Sequence, residues 1–141
     1  MLKVLIAEDN VLIADMLEYF LNSEGYDVCG IAATVDEAVA LADLHKPDLA
    51  VLDFRLDGGF GSEIRARTKD KDSMKILFVS GDTLGEKLTP REGEAYIQKP
   101  YGMKDISSAL RIIQQMKNNG TPPFSELPKG LHLVHGATDQ P

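Results

Sequence analysis

Apolar residues along the chain follow two rhythms that take turns. Four short unbroken runs, Val4-Leu5-Ile6-Ala7, Leu49-Ala50-Val51-Leu52, Ile76-Leu77-Phe78-Val79 and Ala95-Tyr96-Ile97, are too brief for helices and suit strands buried on both faces. Val28-Cys29-Gly30-Ile31-Ala32 reads as a further strand. Between the runs the spacing changes to three and four. Leu12, Ile13, Met16, Leu17, Phe20 and Leu21 predict an amphipathic helix of about four turns, with Asn10 placed to cap it and Gly25 to stop it. Thr34-Val35-Asp36-Glu37 is a Thr-x-x-Glu capping box, opening a helix with Ala38, Leu41, Ala42 and Leu44 that Pro47 closes, with His45 near its end. Strand and helix alternating in this way predict an α/β fold, a doubly wound parallel sheet with right-handed crossovers and helices on both faces.

Two stretches are less regular. Residues 81–93 contain three glycines and a proline, so a helix there should be short or poorly ordered, leaving a mobile surface element. A last helix should open near Asp105 and run to about Lys117, with Ile106, Ala109, Leu110 and Ile113 inside. Ile112 and Met116 fall toward its side and are read as incompletely buried. Beyond residue 118 there are four prolines and little periodicity, which predicts a domain over 1–118 and a tail over 119–141 without an output domain. His132 and His135 in that tail have metal-like spacing but no Cys partners, so an incidental pair is favoured over a zinc site.

With 141 residues the chain fits one domain. A formal net charge of -7 argues against a nucleic-acid surface and favours protein partners and cations. The single Cys29 has no internal disulfide partner and reads as a small buried hydrophobe. No run approaches the roughly 18 apolar residues that span a bilayer, so a soluble, cytoplasmic protein without membrane contact is expected.

Polar residues at the ends of the runs carry the chemistry. Glu8-Asp9, Asp53, Ser80 and Lys99-Pro100 each follow a strand, with Asp57 nearby, and parallel sheets gather the carboxyl ends of their strands around one crevice. Carboxylates brought together repel one another unless a cation joins them. Hard oxygen donors with room for water suit Mg²⁺. A carboxylate such as Asp53 can serve as nucleophile toward a phosphoryl group. Lys99 and Ser80 supply the ammonium and hydroxyl that would neutralise the outer phosphoryl oxygens.

At these residues the chain resembles the receiver domain of two-component response regulators, over nearly all of 1–118. The resemblance implies a flavodoxin-like five-stranded parallel sheet of order 2-1-3-4-5. It implies Glu8 and Asp9 as the acidic pair holding Mg²⁺, Asp53 as phosphoacceptor and metal ligand, and Ser80 as the hydroxyl that binds the phosphoryl group. Lys99 would precede a cis bond to Pro100, and Tyr96 would be the switch aromatic. It also implies transfer from a sensor histidine kinase or histidine phosphotransfer protein, followed by a conformational shift read by a downstream protein.

The chain departs from that pattern after Asp53. Where the family usually has a Met-Pro pair, it reads Phe54-Arg55-Leu56-Asp57-Gly58-Gly59-Phe60-Gly61. Glycine in place of proline predicts a more pliable loop. Arg55 would offer its backbone carbonyl to the metal. Phe78-Val79-Ser80-Gly81 and Lys99-Pro100-Tyr101 also look similar to a subgroup of single-domain receivers. The leading expectation is a stand-alone phosphoacceptor, monomeric or weakly dimeric. It would have no enzymatic output beyond catalysing its own phosphorylation from small donors and its own dephosphorylation. The competing reading is a receiver-like binding module that works without phosphorylation. An Asp82 side chain paired with Arg55 at the rim of the crevice would gate water.

Overall fold

The computed structural model describes residues 1–81, 88–116 and 130–134. Its parallel strands are β1 (Lys3–Ala7), β2 (Asp27–Ala32), β3 (Leu49–Asp53), β6 (Lys75–Ser80) and β7 (Ala95–Gln98). A small antiparallel hairpin, β4 (Arg55–Leu56) and β5 (Gly59–Phe60), follows β3. Helices are α1 (Val11–Ser23), α2 (Val35–His45), α3 (Ile64–Arg67) and α4 (Met103–Gln115), and β8 (Leu131–Leu133) comes last. The main sheet runs β2-β1-β3-β6-β7-β8. Counted among the parallel strands alone, that is the expected 2-1-3-4-5 order.

The strands are continuous apolar runs because the sheet is covered twice. Leu5, Ala50, Leu52, Ile76 and Phe78 point to one side, packing with Val35, Ala38 and Ala42 of α2 and Ile64 of α3. Val4, Ile6, Val51, Leu77 and Val79 point to the other, against Leu17 and Leu21 of α1 and Ile106, Ala109, Leu110 and Ile113 of α4. Successive residues of one strand thus feed opposite cores, as the pleat requires.

The predicted caps form. Asn10 accepts from the Ile13 amide at 3.1 Å, and Thr34 Oγ1 accepts from the Glu37 amide at 3.1 Å while Glu37 reaches back to the Ala33 amide. Gly25 follows the end of α1 with φ of 94°, and α2 ends on Lys46 in the left-handed region. Cys29 is half-buried, its thiol donating to the Val4 carbonyl, and burial pushes its pKa up.

Three details differ from the sequence reading, in α1, in α4 and in the segment read as a tail. In α1 the buried stripe is Ala14, Leu17 and Leu21, while Leu12 and Met16 are exposed, because a single helix face cannot turn all six apolar residues to one sheet. Ile112 and Met116 are buried, not left at the side; the Lys75 ammonium donates to the carbonyls of Gln114 and Met116 and draws the end of α4 onto the sheet. The third helix is a four-residue turn preceded by a 3-10 turn at Gly61–Glu63. Within the segment read as a tail, β8 adds an antiparallel sixth strand to the edge of β7. Among the described residues between β6 and β7, positions 88–94 form turns and no helix.

Candidate functional site

Register brings the strand-end residues together. Ala7 pairs with Leu52, Asp53 with Val79, and Ser80 with Gln98, so Glu8, Asp53, Ser80 and Lys99 emerge on neighbouring strands at one sheet edge. The Lys99 amide donates to the Ser80 carbonyl at 2.7 Å, and the Lys99–Pro100 bond is cis. Carboxylate oxygens of Glu8, Asp9 and Asp53 lie within 4.8 Å of one another. The Lys99 ammonium meets Asp53 Oδ2 at 3.4 Å, and the Arg55 amide donates to Asp53 Oδ1 at 3.3 Å. Asp53 thus has one oxygen toward the cation and the other held by backbone.

Glu8, Asp53 and Ser80 are buried, whereas Asp9 is exposed. Burial pushes the Glu8 carboxyl up to about 7, the Asp53 charge and a hydrogen bond with Asp9 adding to the effect, while the Asn10 amide and Lys99 oppose it. Three carboxylates this close repel one another unless a cation joins them. The donor set fits Mg²⁺, which takes one or two carboxylates and retains waters: Glu8, Asp9 and Asp53 would hold it. Asp57 does not join the group. It is exposed in the hairpin turn, its backbone bridged to Thr34.

The segment after Asp53 is fastened rather than loose. Phe54 and Phe60 rings stand 5.4 Å apart and the Arg55 guanidinium lies 5.6 Å over the Phe60 ring. The turn is made by Asp57-Gly58, with Gly58 at φ of 85°. Gly61 is required by contact: a Cβ there would collide with the Asp53 carbonyl oxygen. Glycines in this loop therefore serve a tight hairpin and a close approach, and pliability does not follow from them. Arg55 is exposed, with its amide on Asp53 and its guanidinium over Phe60; Asp82, its supposed partner at the rim, lies outside the described residues, as does His135.

Sequence reasoning gave no site role to two groups that the structure brings into view. Tyr101 is half-buried, and burial followed by the Glu8 and Asp53 charges raises its hydroxyl pKa to about 12, so it stays a neutral donor beside the acids. Its signal was its position two residues beyond Lys99. The second is the exposed strip of Val11, Leu12, Met16 and Tyr19 on α1, which begins two residues after Asp9 and borders an open groove lined by Met16, Tyr19, Phe20 and Met103. Its signal was an excess of apolar residues over what one buried face can use.

A doubly wound parallel sheet with an acidic cluster, a lysine and a cis Lys-Pro bond at its carboxyl edge is the arrangement of a receiver-type, flavodoxin-like fold. The profile of the response regulator receiver domain matches residues 4–111, and the chain belongs to that family. It is 34% identical over 113 residues to the transcriptional regulatory protein PdtaR of Mycobacterium tuberculosis, covering 78% of this chain and 55% of that protein. To the regulatory protein VanR of Enterococcus faecium it is 36% identical over 118 residues, covering 82% of this chain and 50% of that protein. The chain thus spans about half the length of the curated relatives it matches. A CheY-like receiver domain protein from Methanospirillum hungatei superposes with a TM-score of 0.71 at 30% identity, covering 79% of this chain and 91% of that one. Receiver domains of this family act in two-component signalling as phosphoacceptors served by histidine kinases or phosphotransfer proteins. Among the described residues no helix is long and apolar enough to cross a membrane.

Proposed function

We propose that the chain is a phosphorylation-dependent receiver in which Asp53 accepts a phosphoryl group from a histidine-bearing kinase or phosphotransfer protein in the cytoplasm. The observation that carries this is the meeting of Glu8, Asp9 and Asp53 within 4.8 Å with the Lys99 ammonium 3.4 Å from Asp53. Asp53 Oδ attacks phosphorus, the P–N bond to the donor imidazole breaks, and its electron pair returns to the ring as the aspartyl P–O bond forms. Lys99 and Ser80 bind the outer phosphoryl oxygens. Glu8, Asp9, Asp53 and the Arg55 carbonyl would hold Mg²⁺, which would neutralise the acids and offset charge on the transferred group. The Arg55 amide keeps Asp53 oriented.

A histidine donor carried on a helix suits the strip on α1. Leu12, Met16 and Tyr19 recur at helix-face spacing on the exposed side of α1, the helix that follows Glu8-Asp9, and α1 can seat an apolar helix face while leaving Asp53 in reach. Acetyl phosphate needs no such docking.

The two donors separate the parts of the proposal. Acetyl phosphate with Mg²⁺ should add one phosphoryl group by intact mass, and a phosphorylated histidine donor should do so faster. Leu12→Ser with Tyr19→Ser should slow the protein donor at least several-fold and leave acetyl phosphate labelling unchanged. Equal slowing of both donors would remove the docking role. No Mg²⁺-dependent labelling by either would favour the binding-module reading.

A further inference from the structure

We propose that β8 is a positioning latch for the phosphoryl site, docked preferentially when Asp53 is a free carboxylate and loosened when Asp53 is phosphorylated. The inference rests on the phosphoacceptor reading above and concerns how that site is regulated.

Strand β8 is attached where β7 delivers its chemistry. Leu131, His132 and Leu133 pair with Ile97, Tyr96 and Ala95. The Gln98 amide donates to the Gly130 carbonyl at 3.0 Å, and the Val134 amide donates to the Glu94 carbonyl at 3.0 Å. The His132 ring stacks on Tyr96, centroids 4.8 Å apart and planes at 20°, and its Nε2 lies 3.2 Å from Gln98 Oε1. Leu131 and Val134 are buried, one in the core shared with α4 and the other beside Tyr96 on the opposite face. Five consecutive residues therefore grip both faces and the open edge of β7.

The next residue along β7 after Gln98 is Lys99, tied through its amide to Ser80 and through its ammonium to Asp53. Gln98 is thus fixed by β8 on one side and continuous with the site on the other. In the observed geometry the ammonium reaches the carboxylate itself. Once a phosphoryl group is esterified to Asp53, the charge that Lys99 must meet lies beyond the carboxylate oxygen, and the carboxyl end of β7 has to reseat. A clamp on Gln98 and Tyr96 resists that movement. By linkage, whatever factor β8 takes from affinity for the phosphoryl group, the phosphoryl group takes from β8 docking. The competing account is that β8 only covers an otherwise open sheet edge, and it predicts no coupling.

The test titrates beryllofluoride with Mg²⁺ into the full chain and three full-length variants. Leu131→Asp places a charge in a buried position and should undock the strand. His132→Ala removes the stack, and His132→Phe restores a ring over Tyr96. Leu131→Asp should bind beryllofluoride about five-fold more tightly or better. His132→Ala should move the same way by less, and His132→Phe should return toward the parent. In the parent, beryllofluoride should speed hydrogen exchange at the Gln98 amide. Unchanged or weaker binding in Leu131→Asp, with an unaffected Gln98 amide, would overturn the latch. If Leu131→Asp does not fold, the His132 pair decides alone: equal affinities in both would overturn it. Failure of the parent itself to bind beryllofluoride would instead refute the phosphoacceptor reading, and the latch with it.

Discussion

Replacing Arg65 by alanine should be among the most damaging single changes in the protein, although Arg65 is remote from the acidic cluster. Its Nη2 donates to the Met74 carbonyl at 2.6 Å and to Glu94 Oε1 at 2.7 Å, and its Nη1 to the Pro90 carbonyl at 3.1 Å. Glu94 Oε1 also accepts the Ile76 amide at 2.6 Å. The side chains of the pair are only 10% and 20% exposed, so water cannot replace the lost partner. Removing one member of a buried pair costs about 3–5 kcal/mol because the other charge is left without compensation. Against a total stability of about 5–15 kcal/mol, that should lower Tm by roughly 10 °C. Replacing both, as Arg65→Met with Glu94→Gln, removes the stranded charge and should recover at least half the loss. Urea unfolding of the parent, both single variants and the double variant gives the cycle. An Arg65→Ala loss below about 1 kcal/mol, the range of an exposed pair, would refute the argument from burial.

Three further outcomes follow from the site. Gly61→Ala should destabilise by about 1–3 kcal/mol and slow labelling of Asp53, since its Cβ meets the Asp53 carbonyl oxygen; unfolding midpoints and labelling rates would check both. Arg55→Ala loses an exposed contact with the Phe60 ring worth about 0.5–1 kcal/mol, so it should change the lifetime of the aspartyl phosphate several-fold with little change in unfolding midpoint; an unchanged lifetime would make Arg55 a hairpin fastener only. In excess chelator, stability should fall as pH rises. Burial pushes the Glu8 carboxyl up to about 7 in the folded chain from an ordinary value of 4.5, so the folded state holds the extra proton between those values. Glu8→Gln should flatten that slope in a pH series of urea midpoints, and a slope that persists in the variant would assign it elsewhere.

What could be read from the chain follows from which forces are local. Strands buried on both faces announce themselves as unbroken apolar runs, and Asn10 and Thr34 carry their caps in neighbouring residues. The convergence of Glu8, Asp9, Asp53, Ser80 and Lys99 on one sheet edge was legible because these residues lie at the ends of such runs. Asp57 follows the same logic and is misplaced by it, since the hairpin turns that residue outward. Leu12 and Met16 obey helical spacing, but spacing alone does not say where the buried stripe is centred. Strand β8 was not legible: Leu131-His132-Leu133 is short and owes its conformation to the open edge of β7, a partner supplied by tertiary structure. The fastening of the loop after Asp53 likewise depends on Phe54, Arg55 and Phe60 meeting across a hairpin with strands of two residues each.

If Asp53 is the phosphoacceptor of a metal-dependent site, its covalent product can be trapped directly. Borohydride reduces an acyl phosphate to an alcohol, so an aspartyl phosphate becomes homoserine at the modified position. After incubation with acetyl phosphate and Mg²⁺, reduction and peptide mass mapping should find homoserine at position 53 and nowhere else, with none when the metal is chelated. Homoserine at another aspartate, or undiminished labelling in Asp53→Asn, would contradict the account.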